Sequence, residues 1–305
     1  MHQFSALSTL PLASSYFNLW TDDFEKINIG AYQLTILHTN DQHSRIDPFP
    51  QDAPKYAGEG GFARRAALID KIRNELKGNL LLLDAGDVFQ GTPYFNYFGG
   101  KLEFDLMSRM RYTACTIGNH DFDNGLKGLD EALRFAHFPI ICSNYDFSKT
   151  VLCGKIKKSL VINKKNIRIG IYGLGINPSN LIPENLFGNT VFLDPLTTAQ
   201  EMEDLLKHKE KCHLIICLSH LGYRYEHEQR LNDMTLAEKL FHTHLIIGGH
   251  THTFMESPNI VRNAQDGKVL VTQAGWGGLR LGRIDFQFDE VKNVLSSRFL
   301  MEKIF

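Results

Sequence analysis

The sequence is poor in the features that mark several broad protein classes. Its five cysteines, at 115, 142, 153, 212 and 217, are odd in number, scattered and without a C-x-x-C pair. That excludes a disulfide framework and a cysteine-ligated zinc site, and leaves at least one thiol free. No apolar run reaches the length of a membrane-spanning helix. Charge of one sign is missing too: 33 basic against 34 acidic residues leave a net charge of −1, with no basic block. A nucleic-acid polymer finds no electrostatic footing on such a chain. Internal repeats and low-complexity stretches are absent.

What remains is globular. At 305 residues, 43% hydrophobic and 22% charged, the chain can bury one large core or two modest ones. Residues 1–30 read as a leader or arm. Residues 4–15 have the apolar and small-residue composition of an export signal, without the basic residues that should precede it. Either translation starts upstream of Met1 or the stretch is a flexible arm. A periplasmic or otherwise exported protein is the expectation, and a cytoplasmic one the alternative.

Five polar loops each follow an apolar, strand-like run. Asp41-Gln42-His43 follows 32–39, and Gly86-Asp87 follows 79–83. Gly118-Asn119-His120-Asp121-Phe122-Asp123-Asn124 follows 114–117. Ser219-His220 follows 213–218, and Gly248-Gly249-His250-Thr251-His252 follows 245–247. Helical spacing covers 62–76, with Ala66, Leu68, Ile69 and Ile72 as the buried stripe. It also covers 102–110, 125–136, 195–209 behind Asp194, and 236–241. Thr92 before Pro93 reads as a helix cap. Further strands are expected at 138–142, 269–272 and 280–288, with a hairpin of 160–162 and 167–172 around the turn 163–166. Strands alternating with helices, then a strand-rich tail, predict an α/β layered fold with mixed sheets in one domain from 31 to 305.

The polar groups at strand ends are Asp41, His43, Asp87, Asn119, His120, Asp123, His220, His250 and His252. Imidazole, carboxylate and amide without thiolate suit divalent Zn, Mn, Fe or Co. The set is large enough for two ions, which together polarise a phosphoryl group and make a nucleophile from water near neutral pH. Asp87 is the natural bridging carboxylate. Taken singly, each residue has a plainer reading as a turn cap or a satisfied histidine. Taken together, five of thirteen histidines would have to fall at strand ends by coincidence. His242 and His244 precede their strand and are read as structural. Trp276, in Gly275-Trp276-Gly277-Gly278, stacks on a substrate ring or sits in a glycine-supported turn.

In order and rough spacing these motifs resemble the calcineurin-like metallophosphoesterases. The longer runs Leu37-His38-Thr39-Asn40-Asp41, Gly86-Asp87-Val88-Phe89-Gln90-Gly91-Thr92-Pro93 and Gly118 to Asn124 look like the catalytic domain of bacterial 5′-nucleotidases. The resemblance spans about 33–288 and implies a four-layer α-β-β-α sandwich of two mixed sheets. It implies two divalent ions (Zn, Mn, Fe, Co or Mg), one held by Asp41, His43, Asp87 and His252, the other by Asp87, Asn119, His220 and His250. It implies that His120 stabilises charge or protonates the leaving oxygen, that Asp123 orients it, and that Asn119 and His120 meet the substrate. The implied reaction is hydrolysis of phosphomonoesters, nucleotides foremost, by in-line attack of a hydroxide on the dinuclear centre. The related alternatives are cyclic nucleotides, nucleotide sugars or a sulfur ester as substrate. Another is a catalytic subunit silent until paired with a separate nucleotide-binding chain. The two-domain pattern has a C-terminal domain that grips the nucleoside; the expectation here is that this half is missing or supplied by another chain.

Overall fold

The computed structural model describes residues 17–18, 32–76, 78–226 and 230–305. The signal-like stretch 4–15 lies outside them. Alternation along the strands sorts the apolar side chains onto three interfaces. In the strand Tyr32–Thr39, Leu34 and Ile36 face one way and Leu37 the other; in Leu80–Asp84, Leu81 and Leu83 oppose Leu80 and Leu82. In Leu214–Ser219, Leu214, Ile216 and Leu218 oppose Ile215 and Cys217. The first sets meet each other in one core between two sheets. The second sets lie under helices: Ile69, Ile72 and Met107 over the first sheet, Ala199, Leu236 and Ala237 over the second. The result is the expected α-β-β-α layering.

Among the described residues each of the two large sheets has six strands, and a separate two-stranded ribbon pairs Tyr145–Asp146 with Val191–Phe192. The first runs Phe17–Asn18, Val294–Lys303, Arg280–Phe288, Tyr32–Thr39, Leu80–Asp84, Ala114–Cys115. The second runs Asn259–Arg262, Lys268–Thr272, Leu245–Gly248, Leu214–Ser219, Ile167–Leu174, Ser159–Lys164. Tyr32–Thr39, Leu80–Asp84 and Ala114–Cys115 pair in parallel, as do Ile167–Leu174, Leu214–Ser219 and Leu245–Gly248. Their carboxyl ends therefore share an edge, where open α/β sheets collect ligands. Among the described residues no helix is long and apolar enough to cross a membrane.

Several local expectations shift. The 138–142 run forms only isolated bridges, Ile140 to Cys115 and Ile141 to Lys157, because Pro139 lacks the donor a ladder needs. The hairpin turn tightens to Lys165 and Asn166, both with positive φ (44° and 69°). Thr92 precedes the helix Pro93–Phe98 but its hydroxyl donates to Ser44 O, 2.7 Å away, instead of capping. The helix expected at 236–241 starts earlier, at Asp233–Lys239, because Asn232 and Thr235 form a reciprocal capping box. All five cysteines are free, and only Cys153 is exposed.

Candidate metal centre

The carboxyl-end loops of both sheets converge. Asp41, His43 and His252 bring one ligand atom each within 4.8 Å of one another, and so do Asp87, His220 and His250. His43 Nε2 lies 3.0 Å from His252 Nε2, and His252 Nε2 lies 3.3 Å from Asp41 Oδ1. In the second group His220 Nε2 is 3.1 Å from Asp87 Oδ2. Asn119 joins it, with Oδ1 2.9 Å from His250 Nδ1. The groups adjoin: Asp41 Oδ1 is 4.0 Å from both His43 Nε2 and His220 Nε2, and accepts from His250 N at 3.0 Å. The sequence singled out Asp87 as the bridging carboxylate; Asp41 Oδ1 is also reached by imidazoles of both groups.

The backbone is bent to make this happen. Asp41, His43, Asp87, His250 and His252 all have positive φ, between 48° and 70°. Non-glycine residues adopt that region rarely and at a cost, and clusters of them gather at functional sites. Buried supports hold the loops in place. Asn40 Nδ2 donates to Asp41 Oδ2 and to Gly275 O, both at 2.6 Å, while its Oδ1 accepts from Ala274 N. The Asp121 carboxylate accepts four backbone N–H groups, from Gly118, Asp87, Val88 and Phe89, at 2.8–3.3 Å. It thereby locks the Gly86-Asp87 loop to the Gly118-Asn119 loop. Burial, and next the charge of Asp87, push the Asp121 pKa up to about 7. The motif read from the sequence contains Asp121 but does not give it this task.

His120 and Asp123 stand on the open side. His120 Nδ1 is 2.8 Å from Asp123 Oδ2, the His120 backbone N–H donates to Asp87 Oδ1 at 2.8 Å, and the ring lies 5.3 Å from His43. The hydrogen bond to Asp123 raises the His120 pKa. Trp276 sits between Gly275 and Gly277, both with positive φ, as the glycine-supported turn read for it requires, and its indole stacks on the imidazole of His252. All nine strand-end residues read from the sequence thus meet at one site.

Residues 34–254 match the family model of the calcineurin-like phosphoesterases. The chain belongs to that family. It is 36% identical over 290 residues to human (Homo sapiens) 5′-nucleotidase, covering 88% of this chain and 49% of that protein. It is 35% identical over 293 residues to the snake venom 5′-nucleotidase of Naja atra, covering 88% and 53%. The 5′-nucleotidase precursor of Thermus thermophilus superimposes with a TM-score of 0.81 at 34% identity, covering 90% of this chain and 55% of that one. The chain therefore spans about half the length of these relatives.

In this member of the family the donors fit divalent ions. His220 Nε2 is buried and makes no hydrogen bond among the described residues, although Asp87 Oδ2 is 3.1 Å away, a spacing suited to two ligands of a common ion. Two imidazoles are oriented from behind through Nδ1: His220 on Ala85 O at 2.7 Å and His43 on Phe89 O at 3.3 Å. That is how metal-ligating histidines are usually held. Burial works against ionisation of Asp87, but His220 first, then His43 and His120, outweigh it and hold the carboxyl below its usual range. Burial likewise opposes charge on His220, yet Asp87 raises its pKa to about 10. A cation held by Asp87 and His220 would take over the role of that proton.

Proposed function

We propose that this chain is a metal-dependent phosphoesterase that hydrolyses phosphomonoesters, nucleotides foremost. Its dinuclear centre is built from Asp41, His43, Asp87, Asn119, His220, His250 and His252. The observation that carries the reading is the adjacency of two three-ligand groups, joined through Asp41, to a histidine held by a carboxylate. Two divalent ions bound there supply Lewis acidity and bring water into its nucleophilic form near neutral pH.

The residues do the rest. Asp123 accepts from His120 Nδ1, which directs Nε2 of His120 toward the open side of the site. The raised pKa keeps a proton there for the leaving oxygen or for charge growing on the phosphoryl group. Asn119, between Gly118 and His120 and against His250, meets the same phosphoryl group. We place the protein outside the cytoplasm on the composition of residues 4–15, which cell fractionation tests.

The test of function is phosphate release by the chelator-stripped chain after adding back Mn, Zn, Co or Mg. Substrates are nucleoside 5′-monophosphates, an aryl phosphomonoester and a cyclic nucleotide. Turnover that needs metal and is lost in Asp87→Asn and His120→Ala is the expected result. The substrate ranking then shows how far nucleotide recognition resides in this chain. Bound metal without turnover on any substrate overturns the stand-alone reading in favour of dependence on a nucleotide-binding partner.

A further inference from the structure

At the far end of the second sheet lies a cavity of about 610 Å³, within the range of small-molecule sites. Its walls include Lys207, Lys211, Lys292, His213 and His244, and no carboxylate is among its lining residues. His213 stands immediately before Leu214–Ser219 and His244 before Leu245–Gly248, the two strands whose opposite ends lead to His220 and to Gly249-His250. The six-residue strand alone puts roughly 20 Å between the cavity and the metal-ligand groups. The two sites are therefore separate.

The two imidazoles are fixed as donors. His213 Nδ1 accepts from Arg168 N at 2.8 Å, and His244 Nδ1 accepts from Ile215 N at 3.1 Å. A neutral imidazole that accepts at Nδ1 carries its hydrogen on Nε2. Burial lowers both pKa values, that of His244 to about 4, so both rings stay neutral at physiological pH. Lys292 and Lys207, which line the same cavity, lower His213 further, and Lys207 lowers His244.

Nearby carboxylates are committed elsewhere. Glu203 accepts from the N–H groups of Phe241, His242 and Thr243 and from the Thr243 hydroxyl. Glu210 accepts from the Arg168 guanidinium at 2.6 Å. Asp204 faces His208, 3.6 Å away. The cavity thus offers ammonium groups and two preset N–H donors. That wall suits a ligand made of acceptors with several negative charges, and charge-assisted contacts of this kind are the strong ones.

We propose that this cavity binds a small, multiply charged phosphate anion, either free polyphosphate or the phosphate tail of a nucleotide. The binding does not depend on the proposed activity.

Calorimetric titration of the full, metal-stripped chain with tripolyphosphate, ATP and adenosine tests it. The expected result is saturable one-to-one binding of tripolyphosphate that persists in Asp87→Asn. It weakens by at least about tenfold in Lys207→Gln/Lys292→Gln, as loss of charge-assisted contacts should. ATP binding with tripolyphosphate identifies a nucleotide tail as an accepted source; ATP failing to bind identifies free polyphosphate. A thermal melt checks that the double variant, altered only at surface lysines, remains folded. Absence of saturable tripolyphosphate binding overturns the proposal. So does binding unchanged by the two lysine substitutions, or adenosine binding as well as ATP.

Discussion

The indole of Trp276 lies nearly parallel to the imidazole of His252, with ring centroids 5.8 Å apart and planes 12° apart. His252 is the one histidine of the two ligand groups whose Nδ1 has no hydrogen-bond partner among the described residues. Stacking takes the place of that support, and an offset aromatic pair contributes on the order of 1 kcal/mol. Trp276→Ala should loosen one ion of the two by about tenfold, the lower end for losing an orienting partner. Trp276→Phe should retain most of the affinity. Metal content after dialysis and calorimetric titration read both; equal retention in Trp276→Ala and the parent refutes the positioning role.

Asp123→Asn should separate binding from chemistry. Asp123 lies outside both ligand groups, so metal content should not change. Turnover should fall about a hundredfold or more, the usual scale for a general acid that has lost its tuning. The hydrogen bond to Asp123 raises the His120 pKa, and an acid works below its pKa. Removing the bond must therefore move the alkaline limb of the pH–rate profile to lower pH. A limb that stays in place would show that His120 is not the titrating acid.

His38 should make the fold acid-sensitive. It is fully buried, both ring nitrogens lack a partner among the described residues, and burial lowers its pKa from 6.5 to about 3. The folded state then binds fewer protons than the unfolded state, so stability is intact above pH 6.5 and falls as pH drops toward 3. The slope is about 1.4 kcal/mol per pH unit, or about 2 kcal/mol between pH 6.5 and 5. Urea titrations of His38→Leu should show that loss removed. An unchanged difference between the two pH values would contradict the assignment.

Gly118→Ala should damage the centre by crowding it. A Cβ there would lie 2.2 Å from Asp87 Oδ1 and 2.6 Å from Asp87 N. The backbone of one ligand loop cannot yield without moving the other, because Asp121 ties them together. We expect destabilisation of about 1–3 kcal/mol, the range for overpacking, together with loss of metal affinity. Thermal denaturation and metal content measure the two effects.

Much of this is legible in the sequence because it is local. Alternation in Leu80–Asp84 and Leu214–Ser219 is written residue by residue, and the ligands follow directly after such runs. What escapes depends on partners that only folding supplies. Arg65 falls outside the buried stripe read for its helix, yet it is wholly buried, with its guanidinium 4.0 Å over the Phe62 ring and donating to Gln42. Nothing within a turn of Arg65 announces Gln42. Asp121 reads as a turn residue, and its four amide partners come from two loops that sequence keeps far apart. The strand Asn259–Arg262 goes unread because four residues with one buried side chain carry almost no period.

Each ligand group draws on both sheets: Asp41 and His43 with His252, and Asp87 with His220 and His250. Between those sheets the core is apolar, and apolar contact resists separation but not sliding. Ions seated at the edge, on the proposed reading, would act as a latch between two slabs, with direction that greasy contact lacks. Chelation should then leave each slab intact and free their shear, felt in Leu80–Asp84 and Leu214–Ser219 together as faster amide exchange.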